Sequence, residues 1–373
     1  MNLKGRQLTF DTFGSERLLP TTTSGGRRYD ADSGGLVSIA MSGGRKQNTR
    51  GRQDEWQKSM DPFLRDIIAI LGSYPYGILF GKMQVFSTPL NNLISNRGTH
   101  TGKVVAIAMQ IAHMLGLNIY LCIAIALGHD VGHCPYGPNG CRILGIKHPL
   151  NGVNILQEVA ELNLTKEVVI GILYHSLDKN NLDNGERLSN EAFTVAVADK
   201  IAYLPPDIID FYRMGMLKKL TLPEELKLFG FGNGKDFIKE MQRICINALI
   251  KESLQEGRVS FSKSEIAIAF QKIRDWAYTN VYNKLDNMPD RAYHKTNLDL
   301  VLKYFVDNGL AENLAPEFAI SMMTDGDVNF LAGILQKGNP TPAEEEQISQ
   351  LSVFEIIKSL KGKKINHTEN PLW

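Results

Sequence analysis

Ile125-Ala126-Leu127-Gly128-His129-Asp130-Val131-Gly132-His133 is the stretch that decides the reading of this chain. It closes a run, 119–129, that is apolar at almost every position. A run of that kind predicts a helix buried on all sides, delivering His129-Asp130 at its C-terminal end. A carboxylate placed there is costly unless paired or bound to metal. Asp130 therefore reads as a ligand, as a partner that orients His129, or as a structural cap. Two more residues of fitting type lie in or beside helical segments: His100, about thirty residues upstream, and Asp199, about seventy downstream. Two imidazoles and two carboxylates form a mixed nitrogen and oxygen set. Such a set suits Fe, Mn, Co, Ni or Zn better than Mg or Ca, which favour oxygen alone.

The flanks are helical as well. Residues 102–116 place Val104, Ile107, Ala108, Ile111 and Leu115 at helical spacing, with Gly116 as the stop. Asn190 to Leu204 predicts a further helix closed by Pro205-Pro206, with Asp199 and Tyr203 four apart on one face. Thr341-Pro342-Ala343-Glu344 offers a capping Thr and a Pro at the first helical position. The helix it starts is expected to turn Ile348, Leu351 and Phe354 inward and to stop near Gly362. Strand-like alternation is confined to Leu36–Met41, so the fold class is all-α.

With 373 residues, 43% of them hydrophobic, the chain can bury a large core in one or two domains. No run approaches the roughly 18 apolar residues of a membrane span. Met1-Asn2-Leu3-Lys4-Gly5-Arg6 lacks an apolar signal region, so a cytoplasmic protein without a membrane partner is expected. Cys122, Cys134, Cys141 and Cys245 are too few for a disulfide scaffold, in keeping with a reducing compartment. A net charge of +1 gives no global case for a polyanion partner. Residues 1–52 nevertheless hold nine Lys/Arg against four Asp/Glu, among many Gly, Ser and Thr. The reading is a basic N-terminal arm, 1–55, that is flexible and solvated, ordered only in an oligomer, or in contact with nucleic acid. A core, 56–220, and a helical C-terminal region, 221–373, packed on that core complete the expected organisation.

Four blocks in order carry a resemblance. They are Gly81-Lys82-Met83-Gln84-Val85-Phe86, Asn96-Arg97-Gly98-Thr99-His100-Thr101, Gly128-His129-Asp130-Val131-Gly132-His133, and Ala198-Asp199-Lys200-Ile201-Ala202-Tyr203 with Asp207 and Asp210. Together they resemble the HD-domain phosphohydrolases, and among these the dGTPase-like deoxynucleoside triphosphate triphosphohydrolases. The likeness runs from Asp61 to Leu217 and returns faintly at Asp327–Gly333. It implies an HD-domain helical bundle with additional C-terminal helices. His100, His129, Asp130 and Asp199 would then ligate a divalent transition metal (Mn, Fe, Co, Ni or Zn, with Mg in addition). Arg97 would be a forked donor to phosphate and Lys200 a second positive charge. Tyr203 and Asp207 would hold the sugar, Asp207 at its 3′-hydroxyl, while Leu79 and Gln84 would lie on the substrate side. A nucleotide substrate and a homo-oligomer are implied too, and Phe305, Leu310, Phe330 and Leu331 are candidates for an interface.

The chain departs from the pattern at one place. Where the family reads HD-x-G-H-x-P-F-G-H-x-G-E, this chain has HDVGHCPYGPNGC, so Pro138 and Cys141 replace the His and Glu of the proposed acid/base pair. Losing a positioned acid or base costs about 10²–10⁴ in rate. His133 or His148 is therefore expected to supply the protons, with Gly132 allowing an unusual backbone path towards the phosphate. His175 falls where the family tends to have His, and the other reading of it is a satisfied core histidine. The gap between Cys134 and Cys141 is wider than that of a structural zinc pair, and no second pair exists.

The expected reaction is hydrolysis of deoxynucleoside triphosphates to deoxynucleoside and triphosphate, by water attack at the α-phosphorus. One alternative is a two-metal HD phosphodiesterase or nucleotidase with His148 and His175 on a second ion. The other is a catalytically weak nucleotide- or nucleic-acid-binding HD protein.

Overall fold

Helix after helix in this chain begins at a side chain that accepts from its own first turn. The computed structural model describes residues 60–86, 94–176, 188–218, 220–232, 236–287, 289–311 and 314–365, with the pairs 28–29 and 36–37. Its helices are α1 (Pro62–Leu71), α2 (Tyr74–Ile78), α3 (Arg97–Leu115), α4 (Ile119–Gly128), α5 (Gly137–Ile143), α6 (His148–Asn154), α7 (Lys166–Tyr174) and α8 (Asn190–Arg213). The C-terminal half adds α9 (Phe237–Glu256), α10 (Glu265–Asn280), α11 (Pro289–Asp307), α12 (Pro316–Ser321), α13 (Asp325–Leu335), α14 (Pro342–Ser349) and α15 (Ser352–Ser359). Among the described residues, strand pairing is limited to Arg28–Tyr29 with Leu36–Val37, so the fold is all-α. The rest of the N-terminal arm, 1–55, lies outside the described residues, as does most of the alternation at Leu36–Met41.

The apolar run forms α4 as its composition dictates. Asn118 caps it, accepting from the Leu121 amide at 3.0 Å. Four helices, α1, α3, α7 and α8, pack around it. From Leu121 to Gly128 only Ile123 is not fully buried, while Tyr120 at the entry remains exposed. Burying each Leu or Ile contributes about 1.5–3 kcal/mol, which is enough to carry a polar His-Asp pair inside at the helix end.

α3 begins earlier than its apolar spacing predicts, because Asn96 caps it by accepting from the Thr99 amide at 2.8 Å. His100 thereby enters the first turn of a helix that packs along α8. Gly116 ends α3 with φ 66°, the left-handed conformation a stop glycine supplies.

Three expectations about elements are corrected. α8 does not close at Pro205-Pro206 but continues to Arg213. An internal proline costs about 3 kcal/mol in an isolated helix, yet here both prolines are buried and α8 is packed by α3, α4, α7 and α9. Tertiary packing outweighs local propensity. The segment after Thr341 is two helices, α14 and α15, with Thr341 and Glu344 forming a capping box. Ile348 and Phe354 are buried as expected, but Leu351 sits half-buried at the break. Phe305 and Leu331 are fully buried core residues and not free for an interface, whereas Phe330 is exposed.

The C-terminal helices grip the loop that follows the His-Asp pair. Asp325, at the start of α13, accepts from the Tyr136 amide at 2.7 Å and the Met83 amide at 2.8 Å. Lys82 donates Nζ to the His133 and Ser321 carbonyl oxygens. Tyr136 is left-handed at φ 62°, a strained state for a residue with a side chain. Its ring stacks on His294 at 4.0 Å, and Asn297 Nδ2 donates to its hydroxyl at 3.1 Å. Among the described residues no single helix is long and apolar enough to cross a membrane.

Candidate active site

Three separate helices bring the candidate ligands to one point: α3 carries His100, the end of α4 carries His129 and Asp130, and α8 carries Asp199. His100 Nε2 lies 2.9 Å from Asp199 Oδ1 and 3.8 Å from Asp130 Oδ2. His129 Nε2 lies 3.6 Å from Asp130 Oδ1 and 3.7 Å from Asp199 Oδ1. Donors about 2.1 Å from one ion stand roughly 3–3.5 Å from their neighbours, so these spacings fit a shared cation.

The protonation pattern fits as well. A carbonyl only accepts, so His129 Nδ1–H donates to the Ala126 oxygen at 2.7 Å. That leaves Nε2 turned inward, buried and without a hydrogen-bond partner, as the nitrogen that would meet a cation. Burial disfavours charge on His129, but Asp130 and Asp199 outweigh it and push the imidazole up to about 9, so the metal-free ring holds a proton on Nε2 near neutral pH, in the place a bound cation would take. Burial likewise opposes ionisation of both carboxylates. His129, Arg97 and His133 nevertheless hold Asp130 well below the usual range, and His100 and His129 do the same for Asp199. Two ionised carboxylates beside two inward-facing imidazoles could hold a divalent metal.

Around this cluster lies a second group. Donor atoms of Asp130, His148 and His175 fall within 4.8 Å of one another. His175 Nδ1–H donates to the Ile172 oxygen at 2.7 Å, so its Nε2 lone pair faces His148 Nε2 at 3.2 Å. Burial pulls His148 well down and His175 to about 4, so both are neutral near pH 7. His175 is thus more than a core histidine satisfied by backbone alone: it lines the cavity and its Nε2 pairs with His148.

His133 stacks on His148 with ring centres 3.8 Å apart, and its Nε2 is 3.2 Å from Asp130 Oδ1. The expected special backbone at Gly132 is absent, since its φ is not positive. Gly132 is needed for closeness: a Cβ there would stand 2.0 Å from the His148 carbonyl oxygen and 2.1 Å from the Gly152 amide.

A cavity of about 790 Å³ opens beside the two groups. Gln84, Arg97, Lys200, Tyr203 and Asp207 all line it, with His133 and His148. Leu79 does not; it is fully buried in the turn after α2. Arg97 is engaged rather than forked towards the opening. Its Nη1 donates to Asp130 Oδ2 at 2.7 Å and its Nη2 to the Gln84 oxygen at 3.2 Å. A buried carboxylate captures the guanidinium, which in turn orients Asp130.

The far end of the cavity comes partly from residues that sequence reasoning missed. Arg274, Tyr278 and Tyr282 join the wall from α10 and the turn after it. The Tyr282 hydroxyl donates to Asp207 Oδ2 at 2.5 Å, and its ring meets Tyr203 edge-on at 6.5 Å. Burial raises Asp207 to about 7 even though Tyr282 donates to it. The signal available was the spacing of four between Arg274 and Tyr278, which sets both on one face of α10; Tyr282 keeps the spacing but lies beyond the helix end.

The HD domain family model matches residues 97–204. A deoxyguanosinetriphosphate triphosphohydrolase-like protein of Clostridium tetani is 33% identical over 295 residues, spanning 76% of this chain and 83% of the relative. A protein of the same description from Caldanaerobacter subterraneus subsp. tengcongensis is 33% identical over 284 residues, 73% of this chain and 80% of the relative. Another, from Clostridium perfringens strain SM101, is 32% identical over 303 residues, 76% of this chain and 86% of the relative.

Proposed function

Because this chain belongs to the family of deoxyguanosinetriphosphate triphosphohydrolase-like HD-domain proteins and is a phosphohydrolase, we propose that it hydrolyses deoxynucleoside triphosphates to deoxynucleoside and triphosphate. The observation that carries the reading is the single cavity. It joins Asp130 and Asp199, which reach it from the cluster with His100 and His129, to Tyr203, Asp207 and Tyr282. The basic groups Arg97, Lys200, Arg274 and Arg291 line the same space, as a polyphosphate demands.

His100, His129, Asp130 and Asp199 would hold a divalent transition ion, which would supply Lewis acidity towards phosphate and water. The protein's own groups do the rest. Arg97 fixes Asp130, and the Nδ1–H of His129 fixes its tautomer. Breakage of the bond to the 5′-oxygen leaves an alkoxide that must gain a proton. His133 is the imidazole assigned to that transfer, held in the cavity wall by its stack on the neutral His148. At the other end Asp207, held by Tyr282, is the assigned acceptor for a sugar hydroxyl, and Tyr203 packs beside it.

Support for a second reading, a two-metal phosphodiesterase or nucleotidase, comes from the Asp130, His148 and His175 group. Turnover of a nucleotide panel with Mn²⁺ separates the readings by product: triphosphate for the first, phosphate or a nucleoside monophosphate for the second. No turnover of any nucleotide would leave only the binding-protein alternative. Homo-oligomer assembly, implied by the family resemblance, and nucleic-acid contact through the basic arm, which rests on its composition, belong to the same proposal. A cytosolic setting is supported by four free, buried thiols.

A further inference from the structure

Cys134 and Cys141 flank the turn at Tyr136 and Gly137, where both residues are left-handed at φ 62° and 60°. The turn folds the chain back on itself. The Cys134 amide donates to Cys141 Sγ at 3.2 Å, and the two thiols share a hydrogen bond. Gly140 permits the approach, because a Cβ there would stand 1.7 Å from the Pro135 carbonyl oxygen.

The two sulfurs are unequal in access and in chemistry. Both are free and buried, but only Cys141 lines the cavity, so a small solute meets one sulfur first. The hydrogen bond from Cys134, together with His133 Nδ1 at 3.7 Å, holds the Cys141 thiol well below its ordinary value against the pull of burial. Burial raises Cys134, which keeps its proton and donates. The ammonium of Lys82 adds positive charge close to both. A cavity-facing thiol held below its ordinary value, beside a second thiol within hydrogen-bond reach, is the arrangement that peroxides oxidise selectively. Cys122 and Cys245 are buried elsewhere, their thiols raised by desolvation.

We propose that Cys141 and Cys134 form a modification site, at which a small hydroperoxide entering the cavity converts the thiol pair to an intramolecular disulfide. The Cys141 thiolate attacks the terminal peroxide oxygen. The O–O bond breaks, and the departing oxygen takes a proton from solvent to leave as water or an alcohol. Cys141 is now a sulfenic acid. The Cys134 sulfur attacks the Cys141 sulfur, the S–O bond breaks, and the hydroxyl leaves as water with the Cys134 proton. Two thiols give up two electrons and one peroxide accepts them. The product draws Cys141 Sγ away from His133 and stiffens the wall beneath the metal cluster. A soluble dithiol reverses it.

The test is peptide mapping of the full, reduced, Mn²⁺-supplemented chain after titration with hydrogen peroxide and alkylation. The expected result is a Cys134–Cys141 link formed before Cys122 or Cys245 oxidises. Free thiols should fall from four to two and return with dithiothreitol. In Cys134→Ser, dimedone should label Cys141; in Cys141→Ser, Cys134 should stay reduced. Absence of the link and of the dimedone adduct overturns the proposal, as does oxidation of Cys134 in Cys141→Ser at the wild-type rate. The readout is mass alone, so it stands or falls apart from the identity of the substrate.

Discussion

Lys82 and His133 are joined through a charge: the fully buried ammonium donates to the His133 carbonyl oxygen at 2.5 Å, and its other bond reaches the Ser321 oxygen at 2.7 Å. One side chain thus ties the loop after the His-Asp pair to α12. Burial is the largest influence on it and lowers Lys82 from 10.5 to about 8, despite Cys134, Cys141 and Asp325 nearby.

The sign of the resulting pH dependence follows. Between pH 8 and 10.5 the unfolded chain keeps the Lys82 proton while the folded chain has released it, so this residue adds stability as pH rises across that window. The contribution is lost as pH falls through about 8. Lys82→Met should lower the melting temperature by a few degrees, since two buried carbonyls lose a donor at about 1–3 kcal/mol each. Thermal denaturation of both proteins at pH 7 and pH 10 should show the gap widening at the higher pH. A constant gap would mean that Lys82 does not titrate in this range.

Asp130→Ala removes one candidate metal ligand and the acceptor of Arg97 together. Metal analysis should show loss of bound Mn²⁺, hydrolysis should fall at least 10²-fold, and the far-UV spectrum should be unchanged. Full activity in protein shown to be metal-free would contradict the assignment.

How much of this was legible in the chain depends on how local the cause is. His129-Asp130 stood out because an apolar helix cannot hide a carboxylate without reason, and α4 is buried as its composition requires. Asp199 carried no signal of its own beyond type and order, and needed the family pattern. Pro205-Pro206 misled because propensity speaks for an isolated helix, whereas packing by four neighbours sustains α8. Leu79 was misplaced for a related reason: a residue adjacent in sequence to a matching block is drawn into the core by its own turn. Tyr282 reaches Asp207 across 75 residues, a contact no local pattern encodes.

Asp207 offers a second pH handle. Its carboxyl is raised from 3.8 to about 7, chiefly by burial, so its contribution to stability is full below pH 3.8 and is lost as pH climbs through about 7. Asp207→Asn should flatten that loss and gain on the wild type between about pH 4 and 7 in denaturant melts. It should also lower kcat/KM about tenfold or more for a nucleotide that presents a 3′-hydroxyl. An unaltered KM and kcat would remove Asp207 from the substrate site.

Replacing His133 or His148 with Ala should lower kcat by about 10²-fold with metal content intact. Loss of metal on His148→Ala or His175→Ala, from near two ions per chain to one, would instead favour the two-metal reading. Mass spectrometry of the native protein with Mn²⁺ decides the count.

α8 is also a gauge. Asp199 and Asp207 stand eight residues apart on one unbroken helix, with Tyr203 midway between them. At 1.5 Å per residue they are held about 12 Å apart along its axis. Had the prolines ended the helix, that interval would have been spanned by a joint and would stretch with every movement of the loop. Set on a single rod, it is constant, and a ligand that is to touch both marks must have the matching reach. Length becomes a criterion of admission, applied by the backbone before any side chain tests the chemistry.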